Sequence, residues 1–282
     1  MAVHFPVTAG RENKRILAIF PHPDDIEILC AGTLLRLAQM GFEIHVATMT
    51  PGDKGSATLS AEEIAAIRRE EARRGAETIG SQSYRCLEFR DVEIVFDNPS
   101  RRKVAALLRE VNPFLVFTTP PCDYMFDHEI TSQLVRDACF NAAMINYRTG
   151  LDDRPTWGIP YLYYTDAIEG RDALGRPARI TCLVDVSAEI DKKAAALACH
   201  ASQRSWLKEQ HGMDNYIESM REWGRGRGVP VGVEYAEAFS QHRGHPHPQN
   251  DLLVEWLGAI PIHPEELSTG YTAHDEGKAD YE

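Results

Sequence analysis

The first regular pattern in the chain is a short apolar run at 15–21, RILAIFP, followed by Ile28, Leu29, Leu34, Leu35 and Leu37 across 26–40 and then Gly41. Apolar residues three and four apart form one face of a helix, so this stretch predicts strand, turn and helix. A second unit follows, with EIHVATM at 43–49 as the strand and a charged amphipathic helix over 60–79. Ser60 and Glu63 open that helix at the spacing of a capping box, in which each side chain satisfies the other's backbone N–H. Weaker strand patterns near 84–96 and a helix over 100–111 lead to FLVFTT at 114–119, a continuous apolar run of the kind buried on both faces of a parallel sheet. Helix 128–146, a Pro- and Trp-containing loop at 150–160, strands at 161–165 and 180–186 and a helix over 187–209 continue the series. The alternation predicts an α/β fold with a doubly wound, mostly parallel sheet.

Beyond it, 210–262 holds a Gly/Arg-rich turn, WGRGRGVPVGV, and an apolar segment near 252–260. The expected organisation is an N-terminal arm at 1–13, a catalytic domain at 14–209, a C-terminal helical and loop extension packed on the core at 210–265, and an acidic tail at 266–282.

Composition narrows the function classes. The 282 residues carry a formal net charge of −12, which repels phosphate backbones and argues against a nucleic-acid partner. The six cysteines are scattered with no CxxC pair and read as buried free thiols. No stretch approaches the roughly 18 apolar residues of a membrane span, and the N-terminus lacks the apolar core of a signal peptide, so a cytoplasmic location is expected.

The chemistry concentrates at FPHPDDIE, 20–27, where the first strand should end and the first helix begin. In open α/β sheets that edge is where ligands bind. His22 and Asp25 are three apart, so on a tight turn both can face one point while Asp24 points elsewhere. The bland alternative is helix capping by Asp24 or Asp25, with Asp24 and Glu27 spaced like a capping box. The segment PPCDYMFDHEITSQLV, 120–135, again follows a buried strand and precedes a helix, and brings His128 to the same edge. Two imidazoles and one carboxylate are the set that leaves Zn²⁺ an open position for water. Asp127 stands beside His128 where it can orient or tune the site.

PHPDDIE with GTLL, TPGDKGS at 50–56, RREEA at 68–72 and DYMFDH at 123–128 resemble the LmbE-like (PIG-L) family of zinc-dependent N-deacetylases over about the first 200 residues. The resemblance implies a Rossmann-like fold, zinc ligands His22, Asp25 and His128, Asp24 as general base, and a small N-acetylated sugar or related glycoconjugate as substrate. One departure matters. Many members carry a histidine three residues before the DH histidine, thought to help stabilise the oxyanion, and this chain has Met125 there. The acid or oxyanion role is therefore unassigned, with Tyr124, Asp123 and Asp127 nearby.

Weaker candidates complete the picture. Arg68 and Glu71 match the family's RxxE pattern and are substrate-binding candidates with Asp91 and Tyr124, although an Arg and a Glu three apart on a helix usually form a solvated pair. TPGDKGS reads as a turn shaping the pocket rim. His200, in ACHASQRSW, is expected in core packing rather than in a pocket or subunit contact, and QHRGHPHPQ at 241–249 as an exposed loop. YAEAF, 235–239, resembles a family feature of underived role. The expectation is a Zn²⁺-dependent deacetylase, with Fe²⁺ or another divalent metal in place of zinc as a variant. Assembly into a homo-oligomer stays open. Two competitors remain: a non-haem Fe(II) enzyme, since two histidines and a carboxylate are also its ligand set, and a metal-bound sugar-binding protein without turnover.

Overall fold

The computed structural model describes residues 13–151, 154–204, 206 and 215–262. The acidic tail from 266 and all of the N-terminal arm but Asn13 lie outside the described residues.

Eight strands form one sheet in the order β3-β2-β1-β4-β5-β7-β6-β8. They are β1 Arg15–Phe20, β2 Glu43–Thr48, β3 Ser83–Cys86, β4 Leu115–Thr118, β5 Tyr161–Thr165, β6 Cys182–Asp185, β7 Ala236–Gln241 and β8 Ile260–Pro261. The first five pair in parallel, while β6, β7 and β8 run antiparallel to their neighbours. The described α-helices are α1 Asp25–Leu29, α2 Ala31–Gln39, α3 Ala61–Ile79, α4 Asn98–Val111, α5 Phe126–Asn141, α6 Ile190–Leu197, α7 Tyr216–Gly228 and α8 Leu252–Leu257.

Because successive strand side chains point to opposite faces, β1 divides its residues between two buried clusters. Ile16, Ala18 and Phe20 pack with Leu34 of α2, Ile190 of α6 and Met220 of α7, whereas Leu17 and Ile19 pack with Val104 and Leu108 of α4 and Leu134 of α5. Helices therefore cover both faces, as the alternation predicts. The chain leaves β1 towards β2 on one side and returns to β4 on the other, so the strand order reverses between β1 and β4. The crevice at their carboxyl ends is the binding position such sheets provide.

Several boundaries differ from the sequence expectations. The first helix breaks at Cys30 (φ −147, ψ 6) into α1 and α2, and the helix expected over 187–209 stops at Leu197 before helical structure resumes at 201. Of the strand patterns near 84–96 only β3 forms. The Gly/Arg-rich stretch is a turn only in its second half: WGRGRG completes α7, and VPVGV follows as a single 3-10 turn over Val229–Val231 that ends at Gly232 (φ 84). A Cβ on Gly228 would come within 2.8 Å of the Tyr235 backbone nitrogen, so glycine there lets the helix lie directly against the chain entering β7. β7 itself enters the sheet between β5 and β6.

The cysteines are all free, but only Cys30, Cys139 and Cys182 are buried, and Cys122 is exposed in the loop after β4. No helix among the described residues is long and apolar enough to cross a membrane.

Candidate metal centre

Two strand-to-helix connections build the site. After β1, the turn His22-Pro23-Asp24 delivers the chain into α1. Asp24 takes the left-handed conformation (φ 104, ψ −28), uncommon for a residue with a side chain and costing on the order of 1–3 kcal/mol. That turn separates the two aspartates. The Asp24 carboxylate makes no cap bond and instead accepts from the Tyr216 hydroxyl of α7. Asp25 Oδ2 accepts the His22 backbone N–H at 2.9 Å, which folds the turn back on itself. Glu27 makes no capping box, since its Oε1 lies 3.3 Å from His200 Nε2. The capping alternative for this segment is therefore not what the chain adopts.

After β4, Thr119 Oγ1 donates to the His128 carbonyl at 2.8 Å, tying the strand end to the first turn of α5. Asp127 and His128 lie in that turn, and Met125 is its N-cap. The His22 and His128 rings come within 5.4 Å, centroid to centroid. His22 Nδ1 lies 3.4 Å from Asp25 Oδ2, and His128 Nε2 lies 3.6 Å from Asp25 Oδ1. His22, Asp25 and His128 can each offer one ligand atom within 4.8 Å of the others.

The outer nitrogens are held by other carboxylates. His22 Nε2 lies 3.1 Å from Asp91 Oδ1 and 3.3 Å from Asp127 Oδ2, and His128 Nδ1 lies 3.2 Å from Asp123 Oδ2. A carboxylate on the far nitrogen is how proteins fix the tautomer and orientation of a metal-binding imidazole. His22, Asp91 and Asp127 could also group around an ion. That alternative would take Asp91 and Asp127 away from orienting His22. A direct observation favours the first set: His128 Nε2 is buried without a hydrogen-bond partner among the described residues. Such an atom is costly unless something fills its lone pair or takes its proton. The residues present thus fit a divalent ion bound by two nitrogens and one carboxylate.

Burial and the neighbouring Asp25 charge raise the Asp24 carboxyl to about 6, even though His200 and the Tyr216 hydroxyl pull it down. Burial would raise Asp25 as well, but His128 and His22 outweigh it and hold it below its ordinary value. Adjacent carboxylates pushed in opposite directions are suited to different tasks.

The remaining candidates separate. Asp91 reaches His22, and its N–H donates to Asp53 Oδ1 at 2.8 Å, so TPGDKGS supports Asp91 through Asp53. Arg68 and Glu71 form no solvated pair, because both are buried with different partners. Arg68 donates to the Gly55 carbonyl at 3.1 Å and to Gln203, while Glu71 accepts from the Ser202 N–H and hydroxyl at 3.0 and 2.6 Å. Tyr124 packs edge-on against His128 with most of its surface in water. The 241–249 segment is only partly exposed: His247 is buried and its ring meets that of His242 at 4.4 Å.

Sequence reasoning missed Tyr216, which no motif marks and which reaches Asp24 from 192 residues away. It also left YAEAF without a role. Glu237 accepts the N–H groups of Gly32 and Thr33 at 2.8 and 2.7 Å and pairs with Lys193 at 2.6 Å, so it caps α2 from across the sheet. A cavity of about 1080 Å³ lies between α7 and β7, walled by Ile28, Met220, Trp223 and Ala238, and neither His22 nor His128 lines it.

Comparison with known proteins places this geometry. Residues 17–139 match the family described as PIG-L: GlcNAc-PI de-N-acetylase. The chain is 28% identical over 200 residues to a diacetylchitobiose deacetylase of Thermococcus kodakarensis, covering 67% of this chain and 70% of that protein. It is 25% identical over 198 residues to a 4-oxalmesaconate hydratase of Pseudomonas putida, covering 67% and 74%. The fold superposes on the solved N,N'-diacetylchitobiose deacetylase from Pyrococcus horikoshii with a TM-score of 0.70 at 26% identity, over 86% of this chain and 90% of that one. The residues matched to the PIG-L (LmbE-like) family contain both the HPDD turn and the DH pair that converge at Asp25.

Proposed function

We propose that this protein is a divalent-metal-dependent N-deacetylase acting on an N-acetylated sugar or related small glycoconjugate, with His22, Asp25 and His128 as ligands and Asp24 as general base. The observation that carries this reading is the buried His128 Nε2, without a partner among the described residues, facing Asp25 beside His22. Zn²⁺ held there would lower the pKa of a bound water towards about 7 and polarise the acetyl carbonyl. Asp24 takes a proton from the water that attacks the carbonyl carbon, and a base whose pKa is about 6 is largely unprotonated at neutral pH. When the C–N bond breaks, the Asp24 carboxyl returns that proton to the leaving nitrogen, giving acetate and a free amine. Tyr216 holds the Asp24 carboxylate in place through the reaction. Asp91, Asp127 and Asp123 keep the two imidazoles oriented.

The test joins metal analysis of the purified protein to an acetate-release assay on N-acetylated sugars. About one divalent ion per chain with acetate release supports the reading, and acetate release unaffected by chelators removes it. The hydratase relative favours a second reading, in which the same carboxylate directs water to an activated carbon–carbon double bond. A protein that hydrates an unsaturated carboxylic acid and releases no acetate would establish it.

A further inference from the structure

Three large side chains stand in water around the metal centre. Val92 is 56% exposed, Tyr124 63% and Phe126 81%, and each adjoins a residue of the centre. Val92 follows Asp91, Tyr124 packs on the His128 ring, and Phe126 precedes Asp127.

Val92 is held there against its preference. At φ 57 it occupies the left-handed region, where a β-branched residue is an outlier. Its N–H donates to Asp127 Oδ2 at 2.7 Å, and the preceding N–H is fixed on Asp53. Strain retained next to a site, and spent on leaving an apolar side chain in solvent, points to a use for that side chain when the site is occupied.

Charge narrows what would cover it. Asp24, Asp25, Asp91, Asp123 and Asp127 all belong to this centre. The cations of the surrounding elements are engaged: Lys54 with Glu93, Arg90 with Asp53, and Arg68 with Gly55 and Gln203. An anionic group on the substrate would meet carboxylates, whereas a neutral apolar group would cover Val92, Tyr124 and Phe126 at no electrostatic cost.

We propose that the substrate carries, next to its N-acetylated unit, a neutral apolar or aromatic substituent that packs on Val92, Tyr124 and Phe126. This rests on the deacetylase reading above, so the experiment separates the two. Binding of N-acetylglucosamine, its 4-nitrophenyl β-glycoside and its 1-phosphate is measured by calorimetry on zinc-supplemented Asp24→Asn protein, with acetate release followed in parallel on the wild type. The aryl glycoside should bind about tenfold more tightly than the free sugar, the order expected when much of an aromatic ring leaves water, and the 1-phosphate more weakly than both. In a Phe126→Ser, Tyr124→Ser double variant the aryl-to-free-sugar ratio of dissociation constants should fall close to one. Equal binding of all three probes, tighter binding of the phosphate, or a ratio unmoved by the double variant overturns the proposal. So does a double variant that changes only the oligomeric state, which would make this face a contact between copies. Acetate release reports on the deacetylase reading alone: its absence leaves the binding ratios to decide the substituent.

Discussion

The two sides of α1 hold similar residues and differ in what they can do. On one side His22, Asp25 and His128 turn ring nitrogens and carboxylate oxygens towards a common point, with Asp91, Asp127 and Asp123 bracing the imidazoles from behind. On the other, His200 faces Glu27, with both ring nitrogens lacking a hydrogen-bond partner among the described residues, while Arg68 bonds to Gly55 and Gln203 and Glu71 to Ser202. Both sides are buried and both mix histidine with carboxylates. Only the first forms a group able to hold an ion among the described residues. What separates them is convergence: three donors aimed at one point make a ligand set, and one histidine against one glutamate is a buried polar contact.

The largest effects are expected at the proposed ligands. His128→Ala should remove most of the bound metal and with it the activity, and Asp25→Ala should recover activity only with excess zinc. A His128→Ala protein with its full metal content would mean the third ligand lies elsewhere. Next comes the junction between the sides. Asp24→Asn keeps the shape of the turn but cannot accept a proton, so kcat should fall about 10²–10⁴-fold with metal retained, and near wild-type turnover would remove Asp24 from the chemistry.

On the opposite side the effect should be on stability. A Cβ at Gly75 would lie 2.3 Å from Glu27 Oε1 and 3.1 Å from His200 Nε2, so Gly75→Ala should cost about 1–3 kcal/mol through overpacking. Thermal unfolding should show this as a lower Tm at unchanged metal stoichiometry, and metal loss instead would mean the two sides are coupled. The smallest effect is expected at Tyr216→Phe. The Tyr216 hydroxyl lowers the Asp24 pKa, so its removal should raise that pKa above about 6 and move the acid limb of the pH–rate profile upward. A limb that stays in place or moves down would show that the hydroxyl does not tune Asp24.

How much of this was legible in the sequence follows from how local each feature is. The alternation of apolar runs and helical spacings carries the sheet from β1 to β5, because each unit is specified within about 40 residues and crossover handedness does the rest. The HPDD turn and the DH pair were legible for the same reason: each is a strand end followed at once by a helix start. Tyr216 was not, since a tyrosine opening a helix looks alike whether it faces a core or a carboxylate. Arg68 and Glu71 carry the spacing of a surface pair, and only the approach of Gly52, Gly55 and the 202–203 segment buries them. In WGRGRG the glycines argue locally against a helix, yet the absent side chain of the last, Gly228, is what admits α7 to its place beside Tyr235.

Glu237 has a consequence for synthesis on the ribosome. The amides of Gly32 and Thr33 at the start of α2, and the Lys193 ammonium, find their acceptor more than 200 and about 40 residues downstream respectively. A nascent chain that has emerged only as far as β6 has therefore made every proposed metal ligand, yet α2, which follows the ligand turn and α1, still lacks its acidic cap. Closing a contact that distant is slow compared with forming the local βα units. The last strand to enter the sheet interior is thus also the one that caps the first turn of α2 behind the candidate metal centre, and vectorial synthesis delays that cap until most of the chain has been translated.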